Sequence, residues 1–385
     1  MDIILGGTGL LGSELTFQLL RSGNKVCTVV RSTQRKPDVR RRQLESIAEL
    51  HPEIKLTDDE LQRLNVFAGD ICQPNLQLNL ATLQRLRAVR PRCLWNCAAD
   101  VRYDTRFESK ILNTNVDAIH HVIEFAETVS AGWLHHVSTA FISPVRCEIA
   151  FEEGLNQTAI VDARNLYEKS KILGELTLRE KARIPWSIHR TAILIGPGSH
   201  GKLSNTVGYF GFVRGLFLLR EILSKNDSSS GLFQSPFRIP GNPKLTMNLV
   251  PVDFTVHEML AIQDLPDLRS GDVFHIVDGS PLTTSEHLEL VKQCLDWNGL
   301  CWTDVSTETL NKVEKAFSNL VAGFQVQYCK TAPAHFNVSA HGRKPKAALD
   351  TNQLRSQVLS ACEAWRANHR TLKIECHAIR KHLGI

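Results

Sequence analysis

The heptapeptide NLYEKSK, residues 165–171, sets Tyr167 and Lys171 one helical turn apart, with Ser170 beside the lysine. Residues four apart on a helix share a face, so the phenol and the amine can converge. An isolated phenol has a pKa of about 10. A nearby ammonium favours the phenolate and lowers that value, which suits proton exchange with a carbonyl compound. The same pair also arises by chance on helix faces, so its meaning depends on what stands around it.

A second stretch, LGGTGLLG, supplies Gly6, Gly9 and Gly12 in G-x-x-G-x-x-G spacing, interleaved with Thr8, Leu10 and Leu11. It follows the apolar run DIIL and opens a helical pattern. Glycines there let the backbone turn sharply and bring a helix N-terminus, with its open N–H groups, against a pyrophosphate. A glycine triplet alone is weak evidence; between a first strand and a first helix it predicts a dinucleotide site.

The end of the second strand selects the dinucleotide. An NAD site expects a carboxylate there, but VVRSTQRK places Arg31, with Arg35, Lys36 and the arginines 40–42 close behind. A guanidinium in that position suits a 2′-phosphate, so the expected cofactor is NADPH. Much of 35–42 also reads as a solvated basic helix start. Asp70 ends the third predicted strand, where it can receive an adenine amino group. WNCAAD ends the fourth, and its small residues leave room for a ligand above the strand tips.

These residues need a frame. DIIL, KVCTVV (25–30), LNVFAG (64–69), CLWN (93–96), WLHHVS (133–138) and WSIHRTAIL (186–194) read as strands. Helical patterns separate them. Leu11, Leu15 and Leu19 mark the first, closing at Gly23, and a long one runs from Phe107 to about Val129. That alternation predicts an α/β, Rossmann-type doubly wound parallel sheet. After Gly196 come a loop (196–205) and a polar connector (224–231). Then follow a strand and a helix capped by Asp253 within 247–262, and a strand at 271–279. The last hundred residues are helical in pattern. The expected division is a cofactor domain over 1–200, with 246–280 returning to it. A smaller, mainly helical substrate lobe takes 201–245 and 281–385.

Composition excludes several classes. An apolar fraction of 43%, a charged fraction of 22% and a net charge of +5 are ordinary for a soluble globular chain. No basic run interleaves with aromatics, which argues against nucleic acid. The ten cysteines form no CxxC pair and read as reduced thiols of a cytoplasmic protein. The apolar stretch 207–219 is short and broken by Arg214, so no membrane span is expected, and the first strand at Asp2 leaves no room for a signal peptide. His120–His121 and His135–His136 lack acidic or cysteine partners at suitable spacing, so no metal is expected.

VSTAF brings Ser138 and Thr139 to the fifth strand's end, and NTNV places Asn115 in the preceding helix. With the glycine loop, Asp70 and the Y-x-x-x-K, the chain resembles the extended short-chain dehydrogenases/reductases. VVRS, GDICQP, NCAADV, HVSTAF, RTAILIGPG and IPGNPKLTMNLVPVDF narrow the likeness, from residue 2 to about 280, to the thioester reductase family. That family includes terminal reductase domains of peptide synthetases and carboxylic acid reductases, and fatty acyl-CoA reductases.

The resemblance implies Tyr167 as proton donor and Lys171 as the residue that tunes it and holds the nicotinamide ribose. Thr139 would be a second donor to the substrate oxygen, with Ser138 the less favoured hydroxyl. Asn115 would hold a water, or a helix bend, behind the lysine. The cofactor would touch Gly6, Thr8, Gly9, Leu10, Leu11, Gly12, Arg31, Arg41, Asp70, Ile71, Asn96, Cys97, Ala98, Tyr167, Lys171 and Ile193. An acyl thioester on a phosphopantetheinyl carrier protein or CoA would be reduced to aldehyde, or on to alcohol. No adenylation or carrier region is legible, so delivery in trans is expected. Trp95 and Thr191, which follows Arg190, depart from the family's usual histidine and proline, and both departures are expected beside the cofactor. Competing readings are a reductase or epimerase of free ketones, alcohols or nucleotide sugars, and a non-catalytic dinucleotide sensor.

Overall fold

The computed structural model describes residues 1–32, 38–142, 149–152, 155, 158–198, 208–224, 235–321, 324–330 and 335–383. Its first two-thirds alternate strand and helix: β1 (Asp2–Leu5), α1 (Leu10–Arg21), β2 (Val26–Val30), α2 (Val39–Leu50), α3 (Asp58–Arg63) and β3 (Leu64–Ala68). The chain then crosses to α4 (Leu80–Val89), β4 (Cys93–Asn96), α5 (Glu108–Leu112), a π-helical turn (Asn113–Asp117), α6 (Ala118–Thr128) and β5 (Trp133–Thr139). Next come β6 (Ile149–Ala150), α7 (Thr158–Val161), α8 (Leu166–Lys181), β7 (Trp186–Thr191) and β8 (Ile193–Ile195).

Seven strands form one sheet in the order β11-β7-β5-β4-β1-β2-β3, where β11 is Asp272–Ile276, and every pairing in it is parallel. Side-chain alternation explains the layers. Ile3 and Leu5 turn to one face, where Ile119, Val122 and Phe125 of α6 cover them. Ile4 turns to the other, against Leu11, Leu15 and Leu19 of α1 and Val252, Val256 and Met259. Strand order reverses between β1 and β4, and such a switch point opens a crevice beyond the carboxyl ends of the strands.

The remaining elements are α9 (Tyr209–Leu223), β9 (Phe237–Pro240), β10 (Leu249–Pro251), α10 (Val252–Gln263), α11 (Thr284–Leu295), β12 (Leu300–Thr303), α12 (Lys312–Leu320), a π-helical segment (Gln325–Lys330) and β13 (His335–Phe336). Two long helices follow, α13 (Thr351–Ala367) and α14 (His369–Leu383). A separate apolar core joins Phe210, Phe212, Leu216 and Phe217 of α9 to Phe317 of α12 and Val358 of α13. The aromatic stretch 209–217 therefore lies mostly within this core.

Two expectations need adjusting. The strand predicted over 186–194 divides at Ala192, and its second part, β8, leaves the main sheet to pair with β10. Asp253 is not the helix cap. It lies in the first turn of α10, and its carboxylate accepts from the Gly198 amide at 2.9 and 3.0 Å, fixing an upstream loop. Most of the loops expected at 196–205 and 224–231 lies outside the described residues, as do Arg35 and Lys36.

Candidate active site

The glycine loop is folded so tightly that side chains are excluded. Gly6 has φ +80°, and a Cβ there would stand 2.8 Å from the amide nitrogen of Ala98 at the β4 end. A Cβ on Gly12 would come within 2.2 Å of the Gly6 carbonyl oxygen. Gly9 precedes α1 without a side-chain cap, so the first-turn amides at Leu10, Leu11 and Gly12 offer an anion their N–H groups. Leu11 itself packs into the core, and only its backbone faces the loop. Thr8 is half-buried and Gly9 exposed. These features fit a pyrophosphate. A support that sequence reasoning missed is Gln43, buried in α2, whose amide donates to the Gly7 carbonyl at 2.7 Å. A lone glutamine 36 residues away gives no local signal.

Around the crevice, Arg31 is exposed just after β2. Its carbonyl accepts from Arg42 at 2.6 Å. Asp100 is held below the usual carboxylate range by its hydrogen bonds from Arg102 first, with the Arg31 charge adding a smaller pull in the same direction. Arg40 is spent on the carbonyls of Leu61 and Leu64, whereas Arg41 is exposed beside Glu45 at 3.5 Å. The Asp70 carboxylate accepts from the Cys72 amide at 3.0 Å, and Ile71 packs at the edge of the core. Cys97 donates its amide to Leu5 at 3.1 Å. Ile193 is only 8% exposed and belongs to the core around α9.

Two placements correct the sequence reading. Asn96 is buried with its amide nitrogen 3.1 Å from His136 Nδ1, so only its main chain faces the crevice. Trp95 is fully buried and stacks on His135 at 3.9 Å, inside the core and away from the cofactor's path. His135 in turn meets Ser187 at 2.8 Å and His189 at 3.0 Å. Burial holds both imidazoles well below their usual pKa, so they are neutral core residues. No group able to hold a metal occurs among the described residues.

Tyr167 and Lys171 sit on the first turns of α8, which Asn165 caps by accepting from the Glu168 amide at 2.9 Å. Lys171 is buried, and its ammonium donates to the Val137 carbonyl of β5 at 2.7 Å. Burial pushes it down to about 8, against the pull of Glu175 and then Cys97. Tyr167 behaves differently from the expectation. Burial, then Tyr103, then Glu168 raise the phenol above its ordinary pKa, and these outweigh any lowering by the lysine. A phenol so placed stays protonated at neutral pH.

Thr139 ends β5 and is 5% exposed. Its hydroxyl oxygen accepts from the Phe141 amide at 3.4 Å, which leaves its own proton to donate. Arg164 pairs with Glu168 at 2.9 Å and also donates to the Phe141 carbonyl, tying the Thr139 turn to the Tyr167 helix. Ser138 is buried beside Glu175 instead.

Asn115 stands in the π-helical turn. Its side chain accepts from the Asp100 amide and donates to the Asp100 carbonyl and the Ser170 hydroxyl, each at 2.8 Å. Both halves of the amide are therefore occupied in holding the helix bend against α8. Close packing completes the contact, since a Cβ on Gly174 would lie 2.5 Å from the Asn115 carbonyl oxygen. Thr191 is buried with its hydroxyl 3.5 Å from the Ser138 carbonyl, and Arg190 before it meets Glu175 at 2.8 and 3.0 Å in the interior.

A glycine cradle at the switch point of a parallel sheet, with a Tyr–Lys helix at the neighbouring strand end, defines an oxidoreductase of the extended short-chain dehydrogenase/reductase type. The chain belongs to the NAD(P)-binding family described as male sterility protein, whose profile matches residues 4–259. This is the thioester reductase-like family that the motifs resemble. No curated protein matches it significantly in sequence. In fold it is similar to the terminal R domain of the myxalamid PKS-NRPS pathway, with TM-score 0.74, 19% identity, and coverage of 94% of this chain and 90% of that one. A thiolation-reductase di-domain of an archaeal non-ribosomal peptide synthetase gives TM-score 0.65 at 15% identity, covering 96% and 76%. DesIV, a dTDP-glucose 4,6-dehydratase from Streptomyces venezuelae solved with NAD, gives 0.59 at 16%, covering 96% and 98%. No helix among the described residues is long and apolar enough to cross a membrane.

Proposed function

We propose that the chain reduces acyl thioesters, carried on a phosphopantetheinyl carrier protein or CoA, with NADPH, and releases an aldehyde that a second round can take to the alcohol. The supporting observation is that Lys171, one turn from Tyr167 on α8, donates from the interior to the Val137 carbonyl, two residues before Thr139 at the end of β5, in a sheet whose first strand leads into a glycine cradle. The unit that binds NADPH spans 1–200 and 246–280; the rest forms the substrate lobe.

The cradle's amides hold the pyrophosphate, and Arg31, with Arg41 behind it, meets the 2′-phosphate. NADPH, when bound, supplies a hydride to the thioester carbonyl carbon. The carbonyl electron pair moves to oxygen, where the Thr139 hydroxyl donates a hydrogen bond and Tyr167 transfers its proton. Lys171 offsets the resulting phenolate charge. The hemithioacetal then returns its hydroxyl proton to the Tyr167 phenolate, the C–S bond breaks, and the sulfur leaves as a thiolate that takes a proton from solvent, with the aldehyde as product.

Incubation with NADPH and a panel of acyl thioesters tests this. NADPH consumption with stoichiometric thiol release is expected. Consumption with a free ketone or a nucleotide sugar, and no thiol release from any thioester, would replace this reading with the ketone reductase or epimerase one.

A further inference from the structure

Lys171 ties α8 to β5 at the Val137 carbonyl, two residues before Thr139, with a contact of 2.7 Å. Arg164 makes a matching tie two residues after Thr139, where its guanidinium donates to the Phe141 carbonyl. Tyr167 therefore stands between Arg164 and Lys171 on one side of the joint. Thr139 stands between Val137 and Phe141 on the other. Two cross-links bracket the two hydroxyls.

The second tie is built into the start of α8. Asn165 and Glu168 have the N-x-x-E spacing of a capping box, and Asn165 accepts from the Glu168 amide at 2.9 Å. The Glu168 carboxylate reaches one residue past the cap, to the Arg164 amide at 2.9 Å. Its two oxygens also accept from Arg164 Nε at 2.9 and 3.0 Å. Both side chains are buried, 3% and 1% exposed. A guanidinium so placed needs its charge and its N–H groups matched. Glu168 meets the charge at Nε, and the Phe141 carbonyl takes Nη2. A pair that served only the helix start would need no arm toward Phe141. That residue in turn donates its amide to the Thr139 hydroxyl oxygen at 3.4 Å, so its displacement is felt at the hydroxyl.

We propose that Arg164 is a positioning residue: with Lys171 it clamps the end of β5 to the start of α8, so that the Thr139 and Tyr167 hydroxyls meet on one carbonyl oxygen. This rests on the reading of both hydroxyls as donors to that oxygen. A single tie at Val137 leaves a pivot, about which the Thr139 turn can swing. The tie at Phe141, twenty-three residues from Arg164 in sequence, removes that freedom.

A double-mutant cycle between Arg164 and Thr139 tests this in the reduction of an acyl thioester by NADPH. Arg164→Gln should lower kcat by about 10-fold, because a misplacement of about 1 Å can cost up to about 100-fold. Arg164→Lys keeps the charge but offers one nitrogen in place of the fork, so its kcat should fall nearly as far. NADPH affinity should stay at the wild-type level. In the Arg164→Gln background, Thr139→Ala should cost about 5-fold less than in the wild type, since a hydroxyl already out of place has little left to lose. The same Thr139→Ala factor in both backgrounds means a structural role alone and overturns the proposal, as does an unchanged kcat. If the unpaired Glu168 unfolds Arg164→Gln, the cycle runs in Arg164→Gln/Glu168→Gln, which removes both charges together with the arm.

Hydrogen exchange of the backbone amides at Ala140–Ile142 reads the clamp without any substrate. Faster exchange there in the glutamine variant, with β2 unchanged, is expected; unchanged exchange at 140–142 overturns the proposal. If the wild type reduces a ketone and no thioester, the thioester reading fails and the same cycle runs on the ketone. If it reduces neither, the exchange measurement decides.

Discussion

Arg190 grips Glu175 through two contacts, 2.8 and 3.0 Å, with side chains 1% and 0% exposed. Although burial works against it, the guanidinium holds Glu175 below the usual carboxylate range, so the carboxylate keeps its charge. Glu175 lies one turn beyond Lys171 on α8 and is the first group opposing the burial that pulls the lysine down to about 8.

The pair therefore sets an alkaline limit. If the Lys171 ammonium is required, kcat/KM of the unliganded enzyme falls as pH rises through about 8. Glu175→Gln removes the opposing charge, so the midpoint should move to lower pH. The stability sign is separate. The folded value lies below the ordinary 10.5, so the folded state binds fewer protons between the two values and stability rises with pH across that window. Rate profiles of wild type and variant check the first claim, and a variant limb at higher pH refutes it.

Tyr167→Phe should reduce turnover by about 100-fold or more, the range for loss of a positioned acid, and leave NADPH affinity intact. Thr139→Ala should slow the same step by about 10-fold or more, as loss of one oxyanion donor does. Single-turnover kinetics and cofactor titration separate these from binding defects. A near-normal rate in the phenylalanine variant removes Tyr167 from the chemistry.

Arg31→Ala should weaken NADPH by roughly 10-fold or more, one charge-assisted contact, and leave NADH almost unchanged. Fluorescence titration with both cofactors measures the difference. Equal losses would take the 2′-phosphate away from Arg31.

Gly174→Ala should destabilise the protein by about 1–3 kcal/mol, because the new methyl group meets the backbone carbonyl of Asn115 at 2.5 Å and α8 must retreat. The retreat carries Tyr167 and Lys171 with it, so kcat should fall together with the urea midpoint. An unchanged midpoint would contradict the close contact.

Local periodicity made the parallel sheet legible, since each strand is an apolar run and each helix an amphipathic one. The glycine loop was legible because its function is backbone geometry encoded in adjacent residues. The direction of the Tyr167 shift was not, because burial is a property of the whole fold. Nor were the supports from Gln43 and Arg190. Each reaches its partner across a gap in sequence that no short pattern spans, 15 residues for Arg190 and 36 for Gln43. Asp253 looked like a cap because its type favours caps, yet a distant amide at Gly198 claimed it.

The abutment of Gly6 on Ala98 leaves no slack between the first and fourth strand tips. That seam is rigid, and evolution can alter it only by altering both sides at once. Arg31, out on the solvent margin, is bound by no such constraint. The proposed grip on the diphosphate is therefore frozen, while the proposed preference between the two nicotinamide coenzymes stays open to single substitutions at the rim.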